Sequence, residues 1–219
     1  LIPRAIDSGH IAFKIKIGFG PDADIKHVAL ARRLLGSTPK LMVDVNQAWS
    51  TQEAIANIEN ISEFGLTWVE EPIRSDSPDD HWRVLAKASS VPLAAGENLN
   101  HEHDFGHMIQ RRTTRFIQPD VAKWGGISGR SIIAAKINRS GLCYCPHRLG
   151  GGVGLLASAH LLAANPGCGM IELDINPNPI REFVCSSQIS MTNSMMILSD
   201  LPGLGVEPPE DLLSRYLIQ

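Results

Sequence analysis

Seven short runs with the make-up of β-strands punctuate the chain: AFKIKI, KLMVDV, LTWVEE, PLAAGE, RFIQPD, LCYCPH and MIELD. Each carries one ionisable residue at its C-terminal tip, in order Lys16, Asp44, Glu70, Glu97, Asp120, His147 and Glu172. The intervals between tips are 28, 26, 27, 23, 27 and 25 residues, the length of a strand, a helix and their two connections. Helical patterning fills the gaps. Ile25, Val28, Ala31 and Leu35 recur at steps of three and four, and Ile55, Ile58, Ile61 and Phe64 at steps of three, with Ser50 and Glu53 as a capping box before the second helix and Gly65 just past its end. Strands alternating with helices give parallel βαβ units. A regular repeat of them predicts an α/β fold of the TIM-type (β/α)8 barrel class, here about seven βα units, in which the strand tips converge on one mouth. A doubly wound open sheet is the competing architecture and would spread the same tips along an edge.

Eight strands are needed to close such a barrel, so the first is expected to be missing, with LIPRAIDSGH as the end of the helix that would follow it. Residues 1–175 are then an incomplete barrel domain. After Glu172 the pattern changes to NPNP, EFVCSSQISM, MMIL and DLPGLGVEPP, so residues 176–219 are read as an irregular tail that would pack on a missing capping domain. With a net charge of −3 and no long run of Lys or Arg, neither nucleic acid nor an anionic membrane is expected as partner, and a small molecule is. No apolar stretch has the length of a membrane span and the N-terminus lacks the order of a signal peptide, which favours the cytoplasm. The four cysteines, Cys143, Cys145, Cys168 and Cys185, lack metal-site spacing and read as buried free thiols.

The tips carry the chemistry. Asp44, Glu70 and Glu97 supply three carboxylates from successive units, an all-oxygen set suited to Mg²⁺; taken singly, each acid would read as a solvated strand end or a helix cap. In FKIKIG, Lys14 and Lys16 share one strand face, and burying two ammonium groups there requires acids opposite them. Lys16 at the tip could serve as a base with a lowered pKa and Lys14 could bind a substrate carboxylate, against the alternatives of structural ion pairs or a Schiff-base lysine. Asp120 and His147 read as a dyad facing Lys16, and Glu172 as an acid or hydrogen-bonding group for the substrate. GVGLLA (152–157) matches a dinucleotide-binding pattern, but it closes a series of units instead of opening one, and its glycines read better as room for a substrate near His147.

These stretches resemble the mandelate racemase/muconate lactonizing enzyme branch of the enolase superfamily. The resemblance rests on K-x-K of FKIKIG, D-x-N of VDVNQAW, WVEEP, AGEN, QPDVAKWGGISG, PH of CYCPH and IELD, in order over residues 12–174, with DLPGLGVE like the family's tail. It implies Asp44, Glu70 and Glu97 as Mg²⁺ ligands, Lys16 as base on one face of a carboxylate substrate and the His147–Asp120 pair on the other. Lys14, Asn46 and Glu172 would contact the substrate, and Lys123 resembles a second catalytic lysine of some members and is given a supporting role. Dehydration of an acid sugar is the expected reaction, with racemisation or epimerisation of a 2-hydroxy acid, or a catalytically incompetent truncated barrel, as alternatives; a homo-oligomer is expected.

Overall fold

In the computed structural model, which describes residues 1–185, 190–192, 194–207, 210 and 214–215, six strands pair side by side in chain order. They are β1 (Ala12–Lys16), β2 (Lys40–Asp44), β3 (Leu66–Glu70), β4 (Leu93–Ala95), β5 (Phe116–Ile117) and β6 (Cys143–Tyr144). Every pairing is parallel. A helix follows each strand: α2 (Pro21–Leu35), α3 (Thr51–Ile61), α4 (Asp79–Ala88), α5 (Glu102–Arg111), α6 (Gly126–Arg139) and α7 (Gly152–Ala164), with α1 (Ile2–Asp7) ahead of β1. The capping box forms as read, Ser50 accepting from the Glu53 N–H while the Glu53 carboxylate accepts from Ser50 N. The last turn of that helix tightens into a 3₁₀ turn, Ser62–Phe64, which Gly65 closes at φ 63°.

Period-two alternation sorts the sheet into two faces. Phe13, Leu41, Val43, Val69, Leu93, Ala95, Ile117 and Tyr144 pack outward against helix residues such as Val28, Ile58, Leu85, Phe105 and Ile133. The residues between them, Met42, Trp68, Ala94, Cys143 and Cys145, form a second cluster with Ala12, Phe116 and Met170. A sheet packed on both faces suits all-parallel strands. Five strand spacings of about 4.8 Å would hold β1 and β6 about 24 Å apart in a flat sheet. Yet Lys14 of β1 lies 2.6 Å from Glu172, in the segment whose Met170 joins the cluster of β6. The sheet is therefore curled, and the fold is a partial (β/α) barrel with the second cluster inside it.

The seventh expected strand, MIELD, joins no ladder. Side chains hold it instead: the Cys145 thiol meets the Met170 backbone, and the Glu172 carboxylate accepts from the Arg148 N–H at 3.1 Å. The cysteine reading is also corrected, since Cys143 and Cys168 form a disulfide with Cα atoms 5.6 Å apart while Cys145 and Cys185 stay free and buried. Only the return of the chain along α7 brings position 168 beside β6, which spacing cannot reveal.

The tail is more regular than expected. Asn178 caps α8 (Pro179–Cys185), its side chain accepting from Arg181 N at 2.9 Å while Glu182 accepts from Asn178 N at 3.0 Å. Val184 and Cys185 of this helix pack on Leu155 and Leu156 of α7. Beyond it β7 (Ser190–Thr192) and β8 (Met195–Ile197) form an antiparallel pair. The SSQI stretch at 186–189 and the prolines at 208–209 lie outside the described residues. Among the described residues no helix is long and apolar enough to cross a membrane.

Candidate active site

Register brings the first tips together: Lys16 stands beside Asp44, and Asp44 beside Glu70. Glu97 lies two residues past β4, where plain alternation from Ala94 would aim it outward. Gly96 corrects this at φ 134°, a conformation open to glycine, in a space where a Cβ would stand 2.9 Å from Gln118 N. Asp44, Glu70 and Glu97 are all buried, and one oxygen from each lies within 4.8 Å of the others. Three buried carboxylates repel one another unless cations sit among them.

Two of those cations are lysines. Lys14 Nζ is 2.5 Å from Glu70 Oε1, 2.6 Å from Glu172 Oε1 and 3.6 Å from Asp44 Oδ2, while Lys16 Nζ is 2.5 Å from Asp44 Oδ2. Burial works against the Lys14 ammonium, but Glu70, Glu172 and Asp44 outweigh it and hold its pKa above the ordinary value. Lys16 departs from the expectation of burial: its side chain is 51% exposed against 13% for Lys14, because the tip position reaches the mouth while the position one pleat deeper does not. The lysines leave the trio short of positive charge. Burial raises the Glu70 pKa despite Lys14, and burial with Glu97 nearby pushes Glu71 up to about 7. A small hard cation fits this all-oxygen, acid-rich set.

At the other end of the trio stands His147, 93% buried. Its Nδ1 is 3.0 Å from Asp120 Oδ2 and its Nε2 is 3.0 Å from Glu97 Oε2. Burial lowers its pKa, but the hydrogen bond to Asp120 and the close Glu97 carboxylate prevail and lift it to about 9; Glu97, desolvated but facing the imidazole, falls to about 2. Asp120 is fixed in turn, Oδ1 accepting from Ala122 N at 2.8 Å and its backbone oxygen from Arg130 Nε at 2.9 Å. The dyad is thus present and is tied to Glu97 as well. Asn46, at φ 48°, donates its backbone N–H to Asp44 Oδ1 at 2.9 Å and exposes its side chain beside the trio.

Three supporting groups escaped the sequence reading. Trp68 Nε1 donates to Glu70 Oε2 at 3.0 Å, and the signal was legible, since Trp68 precedes Glu70 by two on the same strand face. Asn98 donates Nδ2 to both oxygens of Glu71 at 2.9 and 2.8 Å, and its Oδ1 lies 3.3 Å from Nζ of Lys123, the lysine already expected in a supporting role, which stands 3.7 Å from Glu97 Oε1. The Glu71 backbone stands at φ 43°. The third is Arg148, next to His147. The glycines of GVGLLA leave room for protein atoms: a Cβ on Gly152 would crowd Val184 and Arg181 O at 3.0 Å, and Gly154 faces Arg148.

A family model described as Enolase C-terminal domain-like matches residues 2–212. The D-galactarolactone cycloisomerase of Agrobacterium fabrum is 32% identical over 216 residues, covering 95% of this chain and 57% of that protein. A mandelate racemase/muconate lactonizing enzyme from Bordetella bronchiseptica RB50 superposes with a TM-score of 0.94 at 40% identity, over 98% of this chain and 60% of that one. L-Talarate dehydratase from Polaromonas sp. JS666, complexed with Mg and L-glucarate, gives 0.82 at 27% identity, over 97% and 57%. The chain thus spans less than two thirds of the proteins it matches.

Proposed function

This chain belongs to the Enolase C-terminal domain-like family, in its mandelate racemase/muconate lactonizing enzyme branch, and we propose that it carries the proton-transfer site of an enzyme that removes the α-proton of a carboxylate substrate. The observation that carries this reading is the buried trio Asp44, Glu70 and Glu97 with a lysine at one end and a hydrogen-bonded imidazole at the other. Mg²⁺ is the cation proposed, and Asp44, Glu70 and Glu97 would hold it; when bound it supplies Lewis-acid stabilisation of the charge that develops on the substrate carboxylate. Lys16, exposed at the mouth, takes the α-proton. Lys14 holds the substrate carboxylate, with Asn46 and Glu172 on its hydroxyl groups. On the opposite face His147, oriented by Asp120, protonates a β-hydroxyl so that it leaves as water, and the resulting enol tautomerises to a 2-keto acid.

Dehydration of an acid sugar is the first reading, supported by the polar groups Asn46 and Glu172 and by the likeness to a talarate dehydratase. Racemisation or epimerisation of a 2-hydroxy acid uses the same residues, with His147 returning a proton to carbon. A panel of aldonic and aldaric acids in deuterated water with Mg²⁺ tests both. A 2-keto product establishes dehydration, exchange of the α-proton without that product establishes racemisation, and no exchange with any acid rejects the proposal. Cytoplasmic location is proposed on the lack of an apolar stretch of membrane-span length in the sequence; the Cys143–Cys168 disulfide is the mark of an oxidising compartment, and a thiol count on protein isolated under alkylation decides, an intact disulfide rejecting the cytoplasm. Homo-oligomerisation is proposed on exposed apolar side chains such as Phe19 and Leu149, and a monomer mass in solution rejects it.

A further inference from the structure

Arg148 follows His147, and its guanidinium occupies a seat that only glycine leaves open. A Cβ on Gly154 would stand 2.7 Å from both Nε and Nη1 of Arg148, and one on Gly150 2.8 Å from Nη2. The side chain is 12% exposed and its Nε is buried without a hydrogen-bond partner among the described residues. Holding a cation out of water with a donor unpaired costs stability. The acid it meets is Asp120: Nη1 lies 3.5 Å from Oδ1, while the other oxygen, Oδ2, is the one bonded to His147 Nδ1. The Arg148 backbone N–H meanwhile binds Glu172. Lys16, by contrast, is anchored on Asp44 and makes none of these contacts.

We propose that Arg148 is a positioning residue, which, seated on Gly150 and Gly154, fixes the Asp120 carboxylate from the side away from the imidazole and so holds His147 in line for proton transfer on one face of the substrate only. The inference rests on the acid–base reading above. It also gives the glycine-rich stretch a purpose without a nucleotide, since the backbone space that would cradle a phosphate is taken by this side chain.

Two variants test it. Arg148→Gln removes the charge. Gly154→Ala keeps the charge but pushes the flexible guanidinium aside, and alanine is the better helix former, so the fold is retained. The first readout needs no turnover: the Nδ1 proton of His147, followed by NMR on histidine-labelled, Mg²⁺-loaded protein and assigned with His147→Asn. It is expected as a protected downfield signal in the parent and shifted or lost in both variants. The second is α-proton exchange with D-gluconate and D-mannonate, C2 epimers with a single carboxylate that offer the α-proton on opposite faces. Exchange from the His147 face is expected to fall about tenfold or more, with the Lys16 face within about twofold and KM little changed. Equal losses on both faces, no loss on either, or an unmoved imidazole signal in both variants overturns the inference. If the parent exchanges neither epimer, the functional reading fails for these acids, and the imidazole signal alone decides the role of Arg148.

Discussion

Trp68 shows how much of a metal-type site rests on groups that would not touch the ion. Its indole fixes the second oxygen of Glu70, so Trp68→Phe is expected to weaken Mg²⁺ binding about 10- to 100-fold, measured by calorimetric titration, while Glu70 itself stays in place. Acidity gives a second outcome at this scale. Glu70 and Glu71 have pKa values raised by burial, Glu71 from 4.5 to about 7. A raised carboxylate binds a proton in the folded state that the unfolded chain has released, so without metal these two lower stability as pH climbs from about 4.5 to 7. Mg²⁺ competes with those protons. The melting temperature is therefore expected to rise more on adding Mg²⁺ at pH 8 than at pH 5, and an equal rise at both would refute the assignment. The acids, lysines and histidine were legible residue by residue, because each ends a strand-like run; the partners Asn98 and Arg148 were not, because their contacts depend on side-chain direction after the strand has stopped.

Chemically marked ends are what make an element's limits legible in the sequence. The box at Ser50 and Glu53 formed as spelled, and Ser50→Ala is expected to cost about 1 kcal/mol in urea unfolding. Asn178 and Pro179 spelled the start of α8 equally well, yet the surrounding Pro/Asn-rich stretch hid it. At β4, β5 and β6 only two or three residues pair, fewer than the strand-like runs that contain them. Their remaining tip residues turn out of the ladder to reach the mouth, as at Gly96. Gly96→Ala adds a Cβ at a positive φ against Gln118 N; a loss of about 1–3 kcal/mol is expected, together with weaker Mg²⁺ binding, because Glu97 follows directly.

For the whole molecule, the sheet leaves β1 and β6 each paired on one side among the described residues, and unpaired parallel edges invite association. The isolated chain is expected to self-associate as concentration rises, and light scattering that returns one monomer mass across the range would exclude this. The sequence by itself determined the repeat, the parallel βαβ order and the identity of the tip residues, since strand and helix periods and caps are local properties of the chain. It also determined that Asp44, Glu70 and Glu97 belong to one end of the sheet, because parallel strands all point their C-termini the same way. Only the tertiary structure decided that the sheet curls far enough for Lys14 to reach Glu172, that Cys143 meets Cys168, and that MIELD lies beside β6 without pairing to it. It also decided that Lys14 is the buried lysine and Lys16 the exposed one. Those outcomes depend on strand twist, on how the inner residues Met42, Trp68, Phe116 and Met170 fill the space between the strands, and on which side chains meet across 25 to 158 residues of chain, a distance over which local pattern carries no information.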